Sequence, residues 1–210
     1  MKNITIRALN KNDLSCVANI HIKAFSDRAL TELGREAVRR YYEWQLLGPH
    51  EAIALGIFQG EDLAGYCFGG VFRGALSGFL QKNKGFLVWQ ILTHPWLIAA
   101  PFFRERMHLA LNGLRRSPPS VVLQAITNSK SFGILAIAID PQFQGIGLGK
   151  HLMAEAEQIA INRGFSRLYL TVDINNIQAI SFYEDLNWQR SAPGGVWHGS
   201  MVKDLDDFHE

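Results

Sequence analysis

Asp140-Pro141-Gln142-Phe143-Gln144-Gly145-Ile146-Gly147-Leu148-Gly149-Lys150 is the stretch that decides how this chain folds. The apolar run Ile134-Leu135-Ala136-Ile137-Ala138-Ile139 leads into it, and its length and β-branched content predict a buried strand. Downstream, Leu148, Leu152, Ala156, Ile159 and Ala160 recur at helical spacing, and Arg163-Gly164 supplies a stop signal. The glycines therefore fall between a strand and the start of a helix. Glycine there lets the backbone bend sharply and meet a ligand closely. The first helical turn adds free N–H groups and a positive dipole end. Strand, glycine turn and helix start together describe a seat for a phosphate or pyrophosphate.

Three phosphate-loop patterns can be compared with these residues. A Walker A loop, G-x-x-x-x-G-K-[ST], fails because Gln144 holds the first place and His151 the last. A dinucleotide loop, G-x-G-x-x-G, fails because Lys150 follows Gly145 and Gly147 where the third glycine is required. The pattern [QR]-x-x-G-x-[GA] is met by Gln144, Gly147 and Gly149. Six loose positions are also compatible with an ordinary strand–turn–helix. A second segment adds to them. After Ser166-Arg167-Leu168-Tyr169-Leu170-Thr171-Val172-Asp173, which reads as the next strand, comes Asn176-Ile177-Gln178-Ala179-Ile180-Ser181-Phe182-Tyr183-Glu184-Asp185-Leu186-Asn187-Trp188.

The two segments, in this order and spacing, resemble the acetyl-CoA loop and the N-x-x-A-I-x-[LF]-Y-E-x-x-G-[FW] segment of the GCN5-related N-acetyltransferases (GNAT). The resemblance covers residues 131–190. Asn187 departs from the family's usual Gly, a mild change because Asn tolerates the left-handed conformation of a helix C-cap. The implied fold is α/β (α+β): a mixed central sheet of about six to seven strands flanked by helices, with a helical insertion before the glycine-loop strand.

Composition fits one domain over residues 1–210: the chain is 48% hydrophobic and 19% charged. A net charge of +2 gives no argument for a nucleic-acid partner. Cys16 and Cys67 show no disulfide framework, which favours a cytoplasmic location. The seven histidines lack ligand spacing, so no metal site is expected. The first residues, Met1-Lys2-Asn3-Ile4-Thr5-Ile6-Arg7, lack the apolar core of a signal peptide.

Residues 3–9 alternate as a first strand, and Asn10, Asn12 and Asp13 offer caps to a helix carrying Leu14, Val17, Ala18, Ile20 and Ile22. A second helical region is expected over 32–47, with Leu33, Ala37, Val38, Tyr41 and Trp44 on its stripe, ended by Gly48-Pro49. In the family these helices border the acceptor site. Residues 51–58 and 63–72 form a hairpin about Gln59-Gly60-Glu61-Asp62. Residues 73–130 are then an insertion between the hairpin and the core strand. Residues 73–80 read as small and flexible. Residues 86–114 are strongly apolar and helix-like, broken at Pro95 and Pro101 and followed by basic residues; 121–126 read as a short strand. A membrane span needs about 20 mainly apolar residues. Gln90, Thr93, His94, Pro95 and Pro101 interrupt this run, so a buried or partner-contacting insertion is expected instead. A homodimer contact and peripheral contact with a membrane surface are both open to it. The last strand is expected over 196–203, after a loop at 189–195.

The resemblance implies transfer of an acetyl group from acetyl-CoA to a primary amine, with no metal. Gln144, Gly145, Ile146, Gly147, Leu148, Gly149 and Lys150 would hold the pyrophosphate. Backbone groups of Ile137, Ala138 and Ile139 would pair with the pantetheine arm as an added strand. Asn176 matches the family's CoA-contacting Asn, and Tyr183 matches its general acid for the departing thiolate. A phenol with pKa near 10 is a reasonable donor for that step. Asp173, Glu61, His21 and His94 are base candidates by residue type only, beside an ordered-water relay. The expected acceptor is a small amine such as an amino sugar or sugar nucleotide. A protein amine, or CoA binding without turnover, are the other readings.

Overall fold

A computed structural model of the chain describes residues 3–26, 28–94 and 131–205. β1 (Ile4–Ala8) opens it. Asn10 then closes a capping box: its side chain accepts from the Asn12 N–H at 2.9 Å, and Asp13 accepts from the Asn10 N–H at 2.8 Å. The caps expected here therefore hold a short 3₁₀ turn, Lys11–Asp13, ahead of α1 (Leu14–Ala24). α1 buries Leu14, Val17, Ala18, Ile20 and His21.

A short helix, α2 (Ala29–Glu32), precedes the helix expected over 32–47, which is α3 (Arg35–Leu47) and starts three residues later. Gly34, at φ 86°, separates them in a conformation that a side chain disfavours. The buried stripe of α3 is Ala37, Val38, Tyr42 and Gln45. Tyr41 and Trp44, expected on that stripe, are half-buried.

β2 (Glu51–Gln59) and β3 (Asp62–Val71) make the expected hairpin. Residues 73–80, read as flexible, lie instead largely in α4 (Ala75–Lys82), and α5 (Lys84–Thr93) falls where the helix-like run was expected to begin. α4 buries Phe79, and Gly74 and Gly78 hid its helical character in the sequence. Gly78 is needed because a Cβ there would lie 2.2 Å from the Trp44 ring. The remainder of the insertion, including the strand expected at 121–126, lies outside the described residues.

β4 (Ser131–Ile139) is followed by a 3₁₀ turn at Pro141–Phe143 and by α6 (Leu148–Asn162). Then come β5 (Arg167–Thr171), α7 (Ile177–Glu184), β6 (Gln189–Arg190) and β7 (Ser200–Asp204). Residues 189 and 190, expected in a loop, pair with β7. Asn187 adopts φ 64°, the left-handed cap anticipated from its place in the motif.

The sheet has seven strands in the order β1-β2-β3-β4-β5-β7-β6, antiparallel except for β4 with β5. One core lies on the α6 and α7 side and includes Ile57, Cys67, Phe132, Leu152, Met153, Leu168 and Trp188. The second packs α1 and α3 against Ala54, Phe58, Tyr66, Phe68 and Ala138. Cys16 and Cys67 are free thiols, the first exposed and the second buried.

Candidate active site

β4 is the middle strand, yet its two edges are not alike. Toward β3 it is paired from Gly133 to Ile139, with a bulge that skips Leu135. Toward β5 it is paired only through Ser131, Phe132 and Gly133. Beyond Gly133 the parallel neighbours separate, and among the described residues nothing pairs with that edge. Leu135, Ala136, Ile137 and Ile139 are accordingly half-buried, although Phe132 is completely covered. Unpaired backbone at the centre of a sheet invites an extended ligand that pairs as a strand would. A slot of about 220 Å³ opens at the fork, lined by Phe72, Gly133, Ile134, Leu135, Tyr169, Leu170 and Thr171. The Tyr169 ring crosses Gly133, where a Cβ would meet its Cζ at 2.6 Å.

β4 runs from this fork into the glycine loop. The Asp140 carboxylate accepts from the Gln142 N–H at 3.1 Å and from Lys23 Nζ at 2.7 Å, tying the loop to the end of α1. The Gln144 amide donates to the Ile139 carbonyl at 3.1 Å, which folds the loop back over the strand end. Gly145 and Gly147 hold φ of 81° and 83°, and a Cβ on either would enter open space. Among the described residues, the N–H groups of Gln144, Gly145, Ile146 and Gly147 donate to no partner. Four successive unpaired N–H groups leading into a helix N-terminus form a concave seat for an anion. Gly149 also serves packing. A Cβ there would sit 3.3 Å from the Phe182 ring, so its smallness lets α7 pack on the first turn of α6.

That packing brings the second motif beside the first. The Asn176 side chain accepts from the Ala179 N–H at 3.0 Å and caps α7. Tyr183 packs edge-on to Phe182 at 5.3 Å and against Trp188 at 5.8 Å, in the core shared with Ile137 and Ile139. Burial pushes its phenol pKa above 10, and the Cys67 thiol nearby adds to the rise. Cys67 is itself raised to about 12 by burial and is inert as a nucleophile. Tyr183 is therefore neutral near pH 7 and retains a proton to donate.

The base candidates are dispersed. His21 is buried: its Nδ1 lies 2.9 Å from the Tyr42 hydroxyl and 3.1 Å from that of Tyr66, and the two hydroxyls are 2.9 Å apart. Which group donates in each of these contacts follows the ring's tautomer, and the other ring nitrogen is Nε2. That Nε2 is buried and has no partner among the described residues. Desolvation lowers the His21 pKa from 6.5 to about 4, so its imidazole is neutral near pH 7. Asp173 pairs with Arg28 at 2.8 Å, and the Asn175 N–H and Arg28 hold its pKa below the usual carboxylate range. Glu61 is exposed in the β2–β3 turn, and His94 closes α5. Among the described residues no group of His, Cys, Asp and Glu side chains could hold a metal ion. No helix among them is long and apolar enough to cross a membrane.

Tyr42, Tyr66 and Tyr169 were not singled out in the sequence. Strand alternation contained a signal for Tyr169: Leu168 and Leu170 face the α6 core, so Tyr169 and Thr171 must face the opposite side. No comparable signal marked the His21–Tyr42–Tyr66 contact, which joins two helices and a strand.

A parallel pair that forks beside a glycine turn at a helix start is the arrangement to compare with known folds. The comparisons with known proteins specify the class. The Acetyltransferase (GNAT) family profile matches residues 17–188, and the chain belongs to that family. The PaiA N-acetyltransferase of Thermoplasma acidophilum, solved with coenzyme A, superposes with a TM-score of 0.58 at 15% identity, over 96% of this chain and 99% of that one. YncA from Salmonella typhimurium, an acetyltransferase by its description and solved with acetyl-CoA, gives 0.55 at 19% identity, over 99% and 97%. At these identities the likeness is one of fold. A mycothiol acetyltransferase of Kocuria rhizophila is 34% identical over 69 residues, which span 33% of this chain but only 21% of that protein.

Proposed function

We propose that the protein is a cytoplasmic N-acetyltransferase that moves the acetyl group of acetyl-CoA onto a primary amine by direct attack in a ternary complex. The observation that carries this reading is the continuity of β4: an edge unpaired beyond Gly133 runs directly into the four unpaired N–H groups at 144–147. The cosubstrate would supply an activated thioester carbonyl. Gln144, Gly145, Ile146, Gly147, Leu148, Gly149 and Lys150 hold its pyrophosphate, Ile137, Ala138 and Ile139 align its arm, and Asn176 flanks it. Alignment of amine and thioester is itself a large part of the rate gain.

Tyr183 acts on the leaving sulfur. Because its phenol is raised above 10, complete proton transfer to a thiolate is uphill, and a hydrogen bond to the developing sulfur charge is the larger contribution. His21, with Nδ1 engaged by two hydroxyls, is poorly placed to take the amine proton, which favours a water relay. The acceptor is a small amine, with an amino sugar or sugar nucleotide favoured. Phe72 and Tyr169 line the slot at the fork and give it aromatic walls suited to the apolar face of a sugar ring. The free thiols of Cys16 and Cys67 suit a reducing compartment.

The test is acetyl-CoA consumption with a panel of amino sugars, sugar nucleotides, amino acids and peptides, followed by mass spectrometry of the product. An acetylated small amine is expected. Acetylation of peptides alone would replace the acceptor class. Tight CoA binding without any product would leave a binding module.

A further inference from the structure

α5 presents an apolar stripe to solvent. Gly85, Val88, Trp89 and Leu92 recur at helical spacing on its outer side, where Val88 is 56%, Trp89 65% and Leu92 70% exposed. The inner side is already satisfied: Leu87 is buried, Phe86 lies under the Arg40 guanidinium at 4.4 Å, and Gln90 donates to the Leu33 carbonyl at 3.2 Å. Among the described residues, core packing therefore does not explain the outer ones. α4 adds exposed Leu76 and Leu80, one turn apart.

Charge tells what kind of surface would cover the stripe. Lys82 and Lys84 are exposed where α4 passes into α5, and neither helix contains an acidic residue. The bias is general for this part of the sequence. Between positions 63 and 139 there are eight Lys and Arg against Glu105 alone, a net of +7, while the whole chain carries +2 and the remainder therefore −5. An apolar stripe with an interfacial Trp, edged by lysines and free of acids, matches a bilayer surface that is apolar within and negative at its headgroups. A second copy fits less well, because an isologous contact through these helices offers no acidic residue of α4 or α5 to Lys82 and Lys84. Residues 95–130 of the chain fit less well too, since they add five more Lys and Arg in sequence against that one Glu.

We propose that the outer stripe of α5, with Lys82 and Lys84 at its start, docks on an anionic lipid bilayer. The stripe inserts Val88, Trp89 and Leu92 at the headgroup boundary, and the lysines hold the helix there. None of these residues belongs to the glycine loop or the fork, so docking would bring the enzyme to a membrane surface without altering its cosubstrate site.

The experiment is co-sedimentation of the full chain with phosphatidylcholine vesicles and with vesicles containing phosphatidylglycerol. It uses wild type, Trp89→Ser/Leu92→Ser and Lys82→Glu/Lys84→Glu, each checked by CoA titration for a folded cosubstrate site. Wild type should sediment with the anionic vesicles, and each double variant should bind them roughly tenfold more weakly. Binding should also fall in high salt. Failure of wild type to sediment with anionic vesicles overturns the proposal, as do equal binding to phosphatidylcholine alone and unchanged binding by both variants. Light scattering without lipid should show a monomer; a dimer that dissociates in Trp89→Ser/Leu92→Ser would assign the stripe to a second copy instead.

Discussion

The two faces of the sheet are built differently. Under α6 and α7 the buried residues are apolar, from Leu152 and Met153 to Leu168 and Met201. Under α1 and α3 the core encloses a hydrogen-bonded triangle of His21, Tyr42 and Tyr66. An apolar face needs only shape and area to be stable. A polar triangle needs every member in place, and one of its atoms, His21 Nε2, stays unpaired among the described residues. The difference separates what the two faces can do. The first is an apolar platform whose rim carries the glycine loop, and the second holds a titratable histidine in its core.

The largest expected effect lies on the platform's rim. Gly147→Val should abolish measurable CoA binding: a β-branched residue is strained at φ 83°, and its side chain would stand where a pyrophosphate meets the backbone. The thermal midpoint should fall only through that backbone strain, because a Cβ there meets no protein atom within 4 Å. Calorimetric titration with CoA is the check, and unchanged affinity would remove the loop from the site.

Tyr183→Phe should come next. Turnover should fall by roughly 10- to 10⁴-fold, the range of a lost acid catalyst, with a smaller change in affinity for acetyl-CoA. Both faces should remain intact, because only a hydroxyl is lost from a packed ring. Full kcat under conditions where chemistry limits the rate would make Tyr183 a packing residue.

The third effect is confined to the α1 and α3 face. His21 has a folded pKa of about 4 against 6.5 for the free side chain. Above pH 6.5 both folded and unfolded states are neutral there, and the stability is fully present. As pH falls from 6.5 toward 4, the unfolded chain takes up a proton that the folded state declines, so stability is lost across that window. The loss is at most about 3 kcal/mol. His21→Gln should remove this contribution, and urea unfolding at pH 7 and pH 4.5 would show it. An identical pH dependence in wild type and variant would mean that the His21 pKa is the same in the folded and unfolded chain.

The same contrast governs how far the sequence could be read. The apolar run 134–139, the glycine pattern and the Asn176 segment each rest on local spacing, so their strand, turn and helix lie where expected. Even the left-handed Asn187 followed from its place at the helix end. The fork itself was implied only by resemblance, because pairing between β4 and β5 depends on where two distant strands diverge. The triangle was harder still. Tyr41 and Tyr42 are adjacent, and which of them faces inward turns on Gly34 restarting the helix at Arg35. α4 was missed because Gly74 and Gly78 read as loop residues, while the Trp44 ring that requires a glycine at 78 is thirty-four positions away.

Everything proposed for the site depends on CoA binding along the unpaired edge of β4 and the loop that continues it. Amide hydrogen exchange with and without CoA tests this directly. Binding should slow exchange in peptides covering 137–150, through the free N–H groups of the loop and the strand end. Peptides from α3 should be little changed. Protection confined to α1 and α3, with exchange at 137–150 unaltered, would contradict that placement.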